Sequence, residues 1–231
     1  MNLPSRNKRH QYEVQLSTGV VKFQPWLVKD EQEYMYAVEG ITEESEIITH
    51  IEELLSKCVD INFKEMSDID FLKLAIEIRK RSKGSDHEII YTCQQCDHIN
   101  TDKIIDLETD VITDFRTKHP ITINDLEFTI KSVTRNDLQY IESLEGDNKK
   151  RWKFIVKSIK SIAINDELFT NLSEDDIEQY LGEELTTQEF QDLVAAIMDQ
   201  QDDIAVESTF TCDKCGAETV IYVDKIIDFF V

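Results

Sequence analysis

Apolar and polar residues alternate near the start of the chain, as they do in half-buried β-strands. Two such runs, Tyr12–Leu16 and Val20–Val28, flank the turn sequence Ser17-Thr18-Gly19 and predict a β-hairpin. Pro25 cannot donate a ladder hydrogen bond, so it favours an edge position or ends the regular pairing of the second strand. After Asp30 the apolar residues recur every three or four positions through Val59, which predicts helix.

The next helical pattern begins at Ser67, a favourable N-cap residue, and stops at Gly84. Short strands are predicted beyond it at Glu88–Thr92 and Ile99–Leu107. A further β segment, Ile121–Val133, alternates apolar and polar positions on each side of a turn. We expect all of these strands to belong to one sheet.

Residues 134–203 carry the spacing of helices throughout. Three N-cap signals punctuate them, each a Ser or Thr followed three residues later by an acid: Thr134 with Asp137, Ser173 with Asp176, and Thr186 with Glu189. The longest predicted helix, Asn148–Ile164, places its apolar residues on one stripe. Its opposite side carries Lys150, Lys153, Lys157 and Lys160. We expect this lysine stripe to be a solvated face, with docking onto an acidic protein or phosphate as the functional alternative.

Two Cys-x-x-Cys turns flank this helical region. Cys93 and Cys96 form the first, Cys212 and Cys215 the second, and each pair follows an aromatic-Thr dipeptide. Four thiolates in two close pairs suit a tetrahedral zinc ion. The sequence therefore predicts a zinc ribbon that is split by the 115 residues between Cys96 and Cys212.

Other uses of the cysteines stay open. One Cys-x-x-Cys could be a redox dithiol, an iron–sulfur cluster takes the same ligands, and four reduced cysteines could bind no metal. His98 lies two residues past the first pair and could replace a sulfur, although an ordinary surface histidine is the simpler interpretation. The fifth cysteine, Cys58, falls in a helical pattern and is expected to be buried.

The chain has 231 residues and a formal charge of −22, which comes from 47 acidic and 25 basic residues. Such a charge repels a phosphate backbone, so nucleic acid is not expected as a partner. No secretory signal or membrane-spanning run is apparent, and the cysteine usage favours a reducing cytoplasm over a disulfide scaffold. Phosphate-binding glycine loops and nucleophile motifs are missing as well, so we expect a protein that is not an enzyme.

Together these patterns predict an α+β chain in four segments. Residues 1–85 would form an N-terminal hairpin with helices, 86–133 the first half of a zinc-ribbon β unit, 134–203 a helical insertion, and 204–231 the second half of the ribbon. The last residues, Ile226–Val231, are apolar to the end. They are expected to complete the sheet, with contact to a neighbouring subunit as the alternative.

Several stretches resemble one protein family. The opening Leu3-Pro4-Ser5, the run Val21–Glu31 and the helices that lead to Tyr91-Thr92-Cys93 are similar to the baseplate hub proteins of T-even-type contractile-tailed phages. The resemblance implies a structural or assembly protein of the tail baseplate, found in the virion or in the host cytoplasm during assembly. It implies other tail proteins as partners. Two alternatives remain, a zinc-ribbon regulator that contacts nucleic acid or polymerase and a thiol-disulfide enzyme.

Overall fold

The computed structural model describes residues 10–114, 116, 118–165, 167–223 and 225–230. Within these residues the fold is α+β, as predicted, with seven α-helices and eleven strands in four small sheets. The described residues form two compact units. The first takes in the chain up to Phe63, Ile69–Thr113 and the chain from Ile204, and the second takes in Lys64–Asp68 and Asp114–Asp203. The predicted four-segment division into domains stays a prediction.

The first unit opens with the predicted hairpin. Strands β1 (Tyr12–Leu16) and β2 (Gly19–Phe23) pair antiparallel around a turn in which Gly19 has a φ of +132°. Residues with a Cβ atom rarely adopt that backbone conformation, which explains why glycine occupies the position. Strand β2 ends two residues before Pro25, as its missing N–H requires.

Three helices follow the hairpin: α1 (Val28–Val38), α2 (Glu44–Ser56) and α3 (Asp68–Lys83). Helix α3 stops where Gly84 takes a φ of +102° and donates its N–H to the Lys80 carbonyl. No helix in the described ranges is both long enough and apolar enough to cross a membrane.

The other strands of the first unit form two separate sheets, so the expectation of a single sheet is wrong. Strands β3 (Asp86–Thr92) and β4 (Ile99–Asp106) pair as one antiparallel hairpin. Strand β5 (Val111–Asp114) joins a second hairpin, β10 (Asp203–Thr211) and β11 (Glu218–Val223), as a third strand next to β10. The core of this unit combines residues of α3, the ribbon strands and the C-terminal segment. The buried apolar residues of this cluster are Leu72, Ile76, Ile105, Leu107, Ile204, Val206, Val223 and Phe229. The hairpin and α2 bury further apolar side chains, among them Leu16, Phe23 and Ile51.

The C-terminal segment does not extend the sheet, and that expectation is wrong. Strand β11 ends at Val223, and Ile226–Phe229 form a turn of 3₁₀-helix. The buried guanidinium of Arg79 donates from Nε to the Phe229 carbonyl at 2.9 Å, and the Phe229 ring is buried in the core. Both interactions keep the backbone of this segment from pairing with a strand of the sheet.

Arg79 also contacts a buried histidine. Its Nη2 lies 3.0 Å from Nδ1 of His87, on strand β3. Burial, and next the charge of Arg79, lower the pKa of His87 to about 4. A neutral His87 can accept a hydrogen bond from the guanidinium, so the buried cation has a partner without a second buried charge.

The second unit is built on a four-stranded antiparallel sheet. Its strands are β6 (Ile121–Ile123), β7 (Leu126–Ile130), β8 (Ile159–Ile164) and β9 (Glu167–Phe169), in that order. Its helices are α4 (Arg135–Glu142), α5 (Asp147–Ser158), α6 (Glu174–Glu184) and α7 (Thr187–Asp199). Apolar residues of the sheet, α5, α6 and α7 form one core. Its members include Phe128, Ile155, Ile162, Leu181, Leu193 and Ile197.

Two sequence predictions about this unit are wrong. Strands β6 and β7 do not belong to the ribbon's sheet, because β7 pairs with β8. Residues 134–203 are not helical throughout, because the predicted helix Asn148–Ile164 changes to strand after Ser158. The isoleucines after Ser158 fit a helical stripe and a buried strand equally well. Pairing of Phe128 with Ile162 in the centre of the sheet selects the strand.

The three predicted N-caps are confirmed. The side chain of Thr134 accepts the N–H of Asp137, and Ser173 and Thr186 each form a full capping box with the acid three residues on. Each cap satisfies backbone donors that the first helical turn leaves unpaired.

The lysine stripe is not a solvated face. Lys157 pairs with Asp137 at 2.8 Å and with Glu174, and its side chain is only 16% exposed. Lys153 pairs with Glu174 and Glu178. Lys160 is exposed but lies on strand β8 and not on α5. The stripe therefore works mostly as an internal cross-link among α4, α5 and α6.

We expect Lys157→Met to lower the free energy of unfolding by about 1–3 kcal/mol, because Asp137 loses its cation and Glu174 keeps only the longer, 3.8 Å pair with Lys153. Lys160→Met is the matched control and should stay within about 0.5 kcal/mol of the parent. Urea denaturation of both variants measures the difference. Equal effects of the two substitutions would show that the Lys157 pairs contribute nothing.

Candidate metal centre

The first Cys-x-x-Cys turn, here called the first knuckle, joins β3 to β4. The Cys93 N–H donates to the His98 carbonyl at 2.9 Å, and the Asp97 N–H donates to the Cys93 carbonyl at 2.9 Å. Asp97 takes a positive φ of 52°, which closes the turn. These bonds direct both sulfurs to the same side of the hairpin end.

The second knuckle joins β10 to β11 and repeats that hydrogen-bond pattern. The Cys212 N–H donates to the Ala217 carbonyl at 2.8 Å, and the Gly216 N–H donates to the Cys212 carbonyl at 2.9 Å. Gly216, at the position of Asp97, has a φ of +74°. Glycine takes this conformation at little cost, whereas most side chains do not.

The structure brings the two knuckles together. The sulfurs of Cys93, Cys96, Cys212 and Cys215 all lie within 4.8 Å of one another. Two sulfur pairs, Cys93 with Cys215 and Cys96 with Cys212, are each 3.7 Å apart. A disulfide would need about 2.05 Å. A tetrahedron with metal–sulfur bonds of about 2.3 Å has edges of about 3.8 Å. The spacing therefore matches four ligands around one ion.

The charge of the sulfur cluster also favours a cation. Hydrogen bonds from backbone N–H groups, that of Cys215 first, lower the pKa of Cys212 to about 6. At Cys96 the backbone hydrogen bond of His98 lowers the pKa, but burial and the neighbouring sulfurs outweigh it and raise the pKa to about 12. One thiolate thus opposes ionisation of the next. A bound divalent cation would allow all four to ionise.

Asn100 connects the two knuckles, and the sequence analysis missed it. It is fully buried on β4. Its Nδ2 donates to the Cys212 sulfur at 3.7 Å and to the His98 carbonyl at 3.2 Å, while its Oδ1 accepts the Asp213 N–H at 2.9 Å. A signal was present in the repeat, because Thr219 occupies the matching place after the second knuckle. The two repeats therefore differ at this position, and the first repeat has the residue that contacts the other knuckle.

Two further contacts hold the knuckles together. Lys103 Nζ lies 2.7 Å from the Asp213 carboxylate, which joins β4 to the second knuckle. The Tyr91 and Phe210 rings, which precede the two turns, have centroids 6.0 Å apart. The aromatic residues that marked the repeat in the sequence therefore pack against each other beside the sulfurs.

The remaining thiol and imidazole candidates lie outside the cluster. Cys58 is buried near the end of α2, where its sulfur donates to the Leu54 carbonyl at 3.6 Å. The grouped ligand atoms do not include His98, which contributes its backbone carbonyl to the first knuckle. Four cysteines would fill a tetrahedral shell and leave no open position for a substrate.

Comparison with known proteins identifies the family. The family model for the T4 bacteriophage base plate protein matches residues 9–231. The chain belongs to this baseplate family. No curated protein matches it, and neither does any solved structure. As a T4-type baseplate protein it is a structural part of a phage tail, where other tail proteins are its implied partners. The family resemblance inferred from the sequence is confirmed at this level.

We expect Asn100→Asp to weaken metal binding by the baseplate protein about tenfold or more, because a carboxylate would replace the N–H donor beside a metal-bound thiolate. The substitution keeps the oxygen that accepts the Asp213 N–H. Asn136→Asp, an exposed site in the second unit, makes the same charge change and should bind like the parent. Competition with a chromogenic chelator measures the affinities. Equal affinity of the three proteins would remove Asn100 from the site.

Proposed function

We propose that this chain is a non-catalytic structural or assembly protein of the hub, or central region, of a contractile-tail baseplate. The family match over residues 9–231 carries the proposal. The hub assignment rests on the resemblance of Leu3-Pro4-Ser5 and Val21–Glu31 to baseplate hub proteins. The chain would act through protein–protein contacts, either within the finished tail or during its assembly in the host cytoplasm.

We further propose zinc as a structural metal bound by Cys93, Cys96, Cys212 and Cys215. The 3.7 Å sulfur pairs support a single ion, whereas a cluster of several irons with bridging sulfides would hold the cysteine sulfurs further apart. Zinc has no redox chemistry of its own and suits a closed four-sulfur shell. Metal analysis separates zinc from iron.

Zinc in this position would stabilise the first unit. Structural zinc sites supply on the order of 10–16 kcal/mol in isolated peptides, and that binding energy becomes folding energy. Here the ion would join two parts of the first unit that the second unit separates along the chain. Such a clamp suits a part that must keep its shape while other proteins assemble on it.

The alternative functions find less support. A redox dithiol pairs the two cysteines of one motif, whereas both 3.7 Å sulfur pairs join different knuckles. A regulator that contacts nucleic acid would have to overcome a formal charge of −22. Salt-sensitive binding to DNA or RNA would restore that second function.

We expect the purified protein to hold about one zinc per chain, and we expect Cys93→Ser or Cys212→Ser to abolish metal binding and yield insoluble protein. Cys58→Ser is the matched control, because Cys58 is buried outside the sulfur cluster. It should retain zinc and solubility. Elemental analysis and thiol titration check this, and equal behaviour of the three variants would contradict the metal site.

Complementation tests the baseplate role. A phage that lacks this chain should assemble no complete baseplates in electron micrographs. The parent protein and Cys58→Ser, supplied in trans, should restore them, whereas Cys212→Ser should not. Mass spectrometry of purified tails then separates a retained subunit from an assembly factor. Normal baseplates without the chain would overturn the proposed function.

A further inference from the structure

Helix α1 exposes a stripe of large apolar side chains. Val28 and Tyr36 are 73% and 75% exposed, and Leu27 and Met35 are exposed as well. Positions 28, 35 and 36 share one helical face, because they are about two turns apart. Single exposed apolar residues are common, but a contiguous patch marks a binding surface. We call Leu27, Val28, Met35 and Tyr36 the α1 stripe.

A mostly apolar cavity of about 300 Å³ adjoins the stripe and shares Met35 with it. The other apolar residues around it are Trp26, Tyr34, Val38, Phe229 and Phe230. Its two charged lining residues, Glu31 and Lys83, form an ion pair at 2.9 Å and so neutralise each other. Three of its lining rings pack together, because the Phe230 ring lies against Trp26 and Tyr34 with centroids 5.8 and 6.4 Å away. A preformed pocket of this size and composition can hold a large apolar side chain.

One polar group in the cavity wall is unsatisfied. The indole N–H of Trp26 is buried and has no hydrogen-bond acceptor among the described residues. Buried donors are nearly always paired, so each exception needs an explanation. A small rearrangement on binding could bring an acceptor of the occupant to this N–H. This N–H belongs to a residue that lines the cavity.

The surroundings of the stripe are strongly acidic. Residues 28–58, which contain α1 and α2, hold nine Asp or Glu against two Lys, a net charge of −7. Both lysines already pair with acids of α1, Lys29 with Glu33 at 3.4 Å and Lys57 with Glu33 at 2.5 Å. Helix α1 has no basic residue in its last turn to offset the helix dipole, whereas Lys57 is the C-cap residue of α2.

All three acids of α1 already have cation partners: Asp30 pairs with Lys57, Glu33 with Lys29 and Lys57, and Glu31 with Lys83 at 2.9 Å. The acidic excess therefore belongs to residues 39–53, which hold six Glu and no Lys or Arg. An occupant with Lys or Arg would supply cations to that stretch.

We propose that the α1 stripe and its cavity bind a cationic amphipathic helix of another protein. A large apolar residue of that helix enters the cavity, and its Lys or Arg residues face the acids of residues 39–53. A second copy of this chain does not fit, because it would bring its own acids of residues 39–53, and no Lys or Arg of that stretch, to the same surface. The inference rests on the proposed function, since it names the kind of partner through which a baseplate part would act.

A designed peptide tests the site directly. The full-length, metal-loaded protein is made with Trp152→Phe, so that Trp26 is its only tryptophan and reports occupancy by fluorescence. The probe is a synthetic amphipathic helix with Leu on one face and Lys on the other. The control peptide has the same sequence with Glu in place of every Lys. We expect the Lys peptide to bind and shift the Trp26 emission, and we expect the Glu peptide not to bind.

Two pairs of substitutions test whether the Lys peptide binds at the α1 stripe. We expect Met35→Ser with Tyr36→Ser to weaken binding of the Lys peptide about tenfold or more, because large apolar side chains dominate such interfaces. The matched control, Leu168→Ser with Tyr222→Ser, removes two other exposed apolar side chains and should bind like the parent. Equal weakening in both pairs would reduce the binding to general charge attraction and overturn the proposal.

Two further outcomes would also overturn it. Binding of the Glu peptide as tightly as the Lys peptide would remove the charge argument. A concentration-dependent dimer in analytical ultracentrifugation, lost in Met35→Ser with Tyr36→Ser, would identify a second copy as the occupant. These failures are distinct from failure of the baseplate role, because complementation by the parent protein is scored separately. A stripe variant that binds the peptide normally would end this inference alone.

Discussion

The first unit depends on the meeting of four sulfurs that come from two places far apart in the chain. Each knuckle is a local structure, set by its own backbone hydrogen bonds, but neither has enough surface to bury by itself. Their contact is specified by Asn100, by the Lys103–Asp213 pair and by the packed rings of Tyr91 and Phe210. Four sulfurs held this close oppose one another's ionisation, so a shared cation is the simplest way to stabilise the arrangement.

The predictable parts of the fold were those with local causes. Turn chemistry identified the hairpin at Gly19, side-chain oxygens identified the caps at Thr134, Ser173 and Thr186, and repeated spacing identified the two knuckles. The misses had non-local causes. The run Ile159–Ile164 fits a helical stripe until β7 pairs with it. Asn100 gave no signal alone, because its role depends on Asp213 and Cys212 from the other end of the chain.

The role of the charged residues also depends on contacts between elements that are distant in sequence. The sequence suggested a basic face on α5, but its lysines are used inside the second unit, where Lys153 and Lys157 neutralise acids on neighbouring helices. Lysines elsewhere pair with the acids of α1, whereas residues 39–53 hold six Glu and no Lys or Arg. In a protein with this imbalance, the informative surface is the one where acidity and exposed apolar side chains coincide.

The order of the chain also constrains how the protein can form. The second unit is nearly continuous in sequence, so its core requires few contacts from outside residues 114–203. The first unit needs both chain regions, since β10 and β11 follow the whole second unit and supply Cys212 and Cys215. Contacts between distant residues form later than local ones, because closing a long loop costs entropy before the contacts stabilise it. If the second unit folds first, fewer flexible residues remain between the two knuckles, and closing the loop between them costs less entropy. Completion of the sulfur site would therefore be a late step in folding.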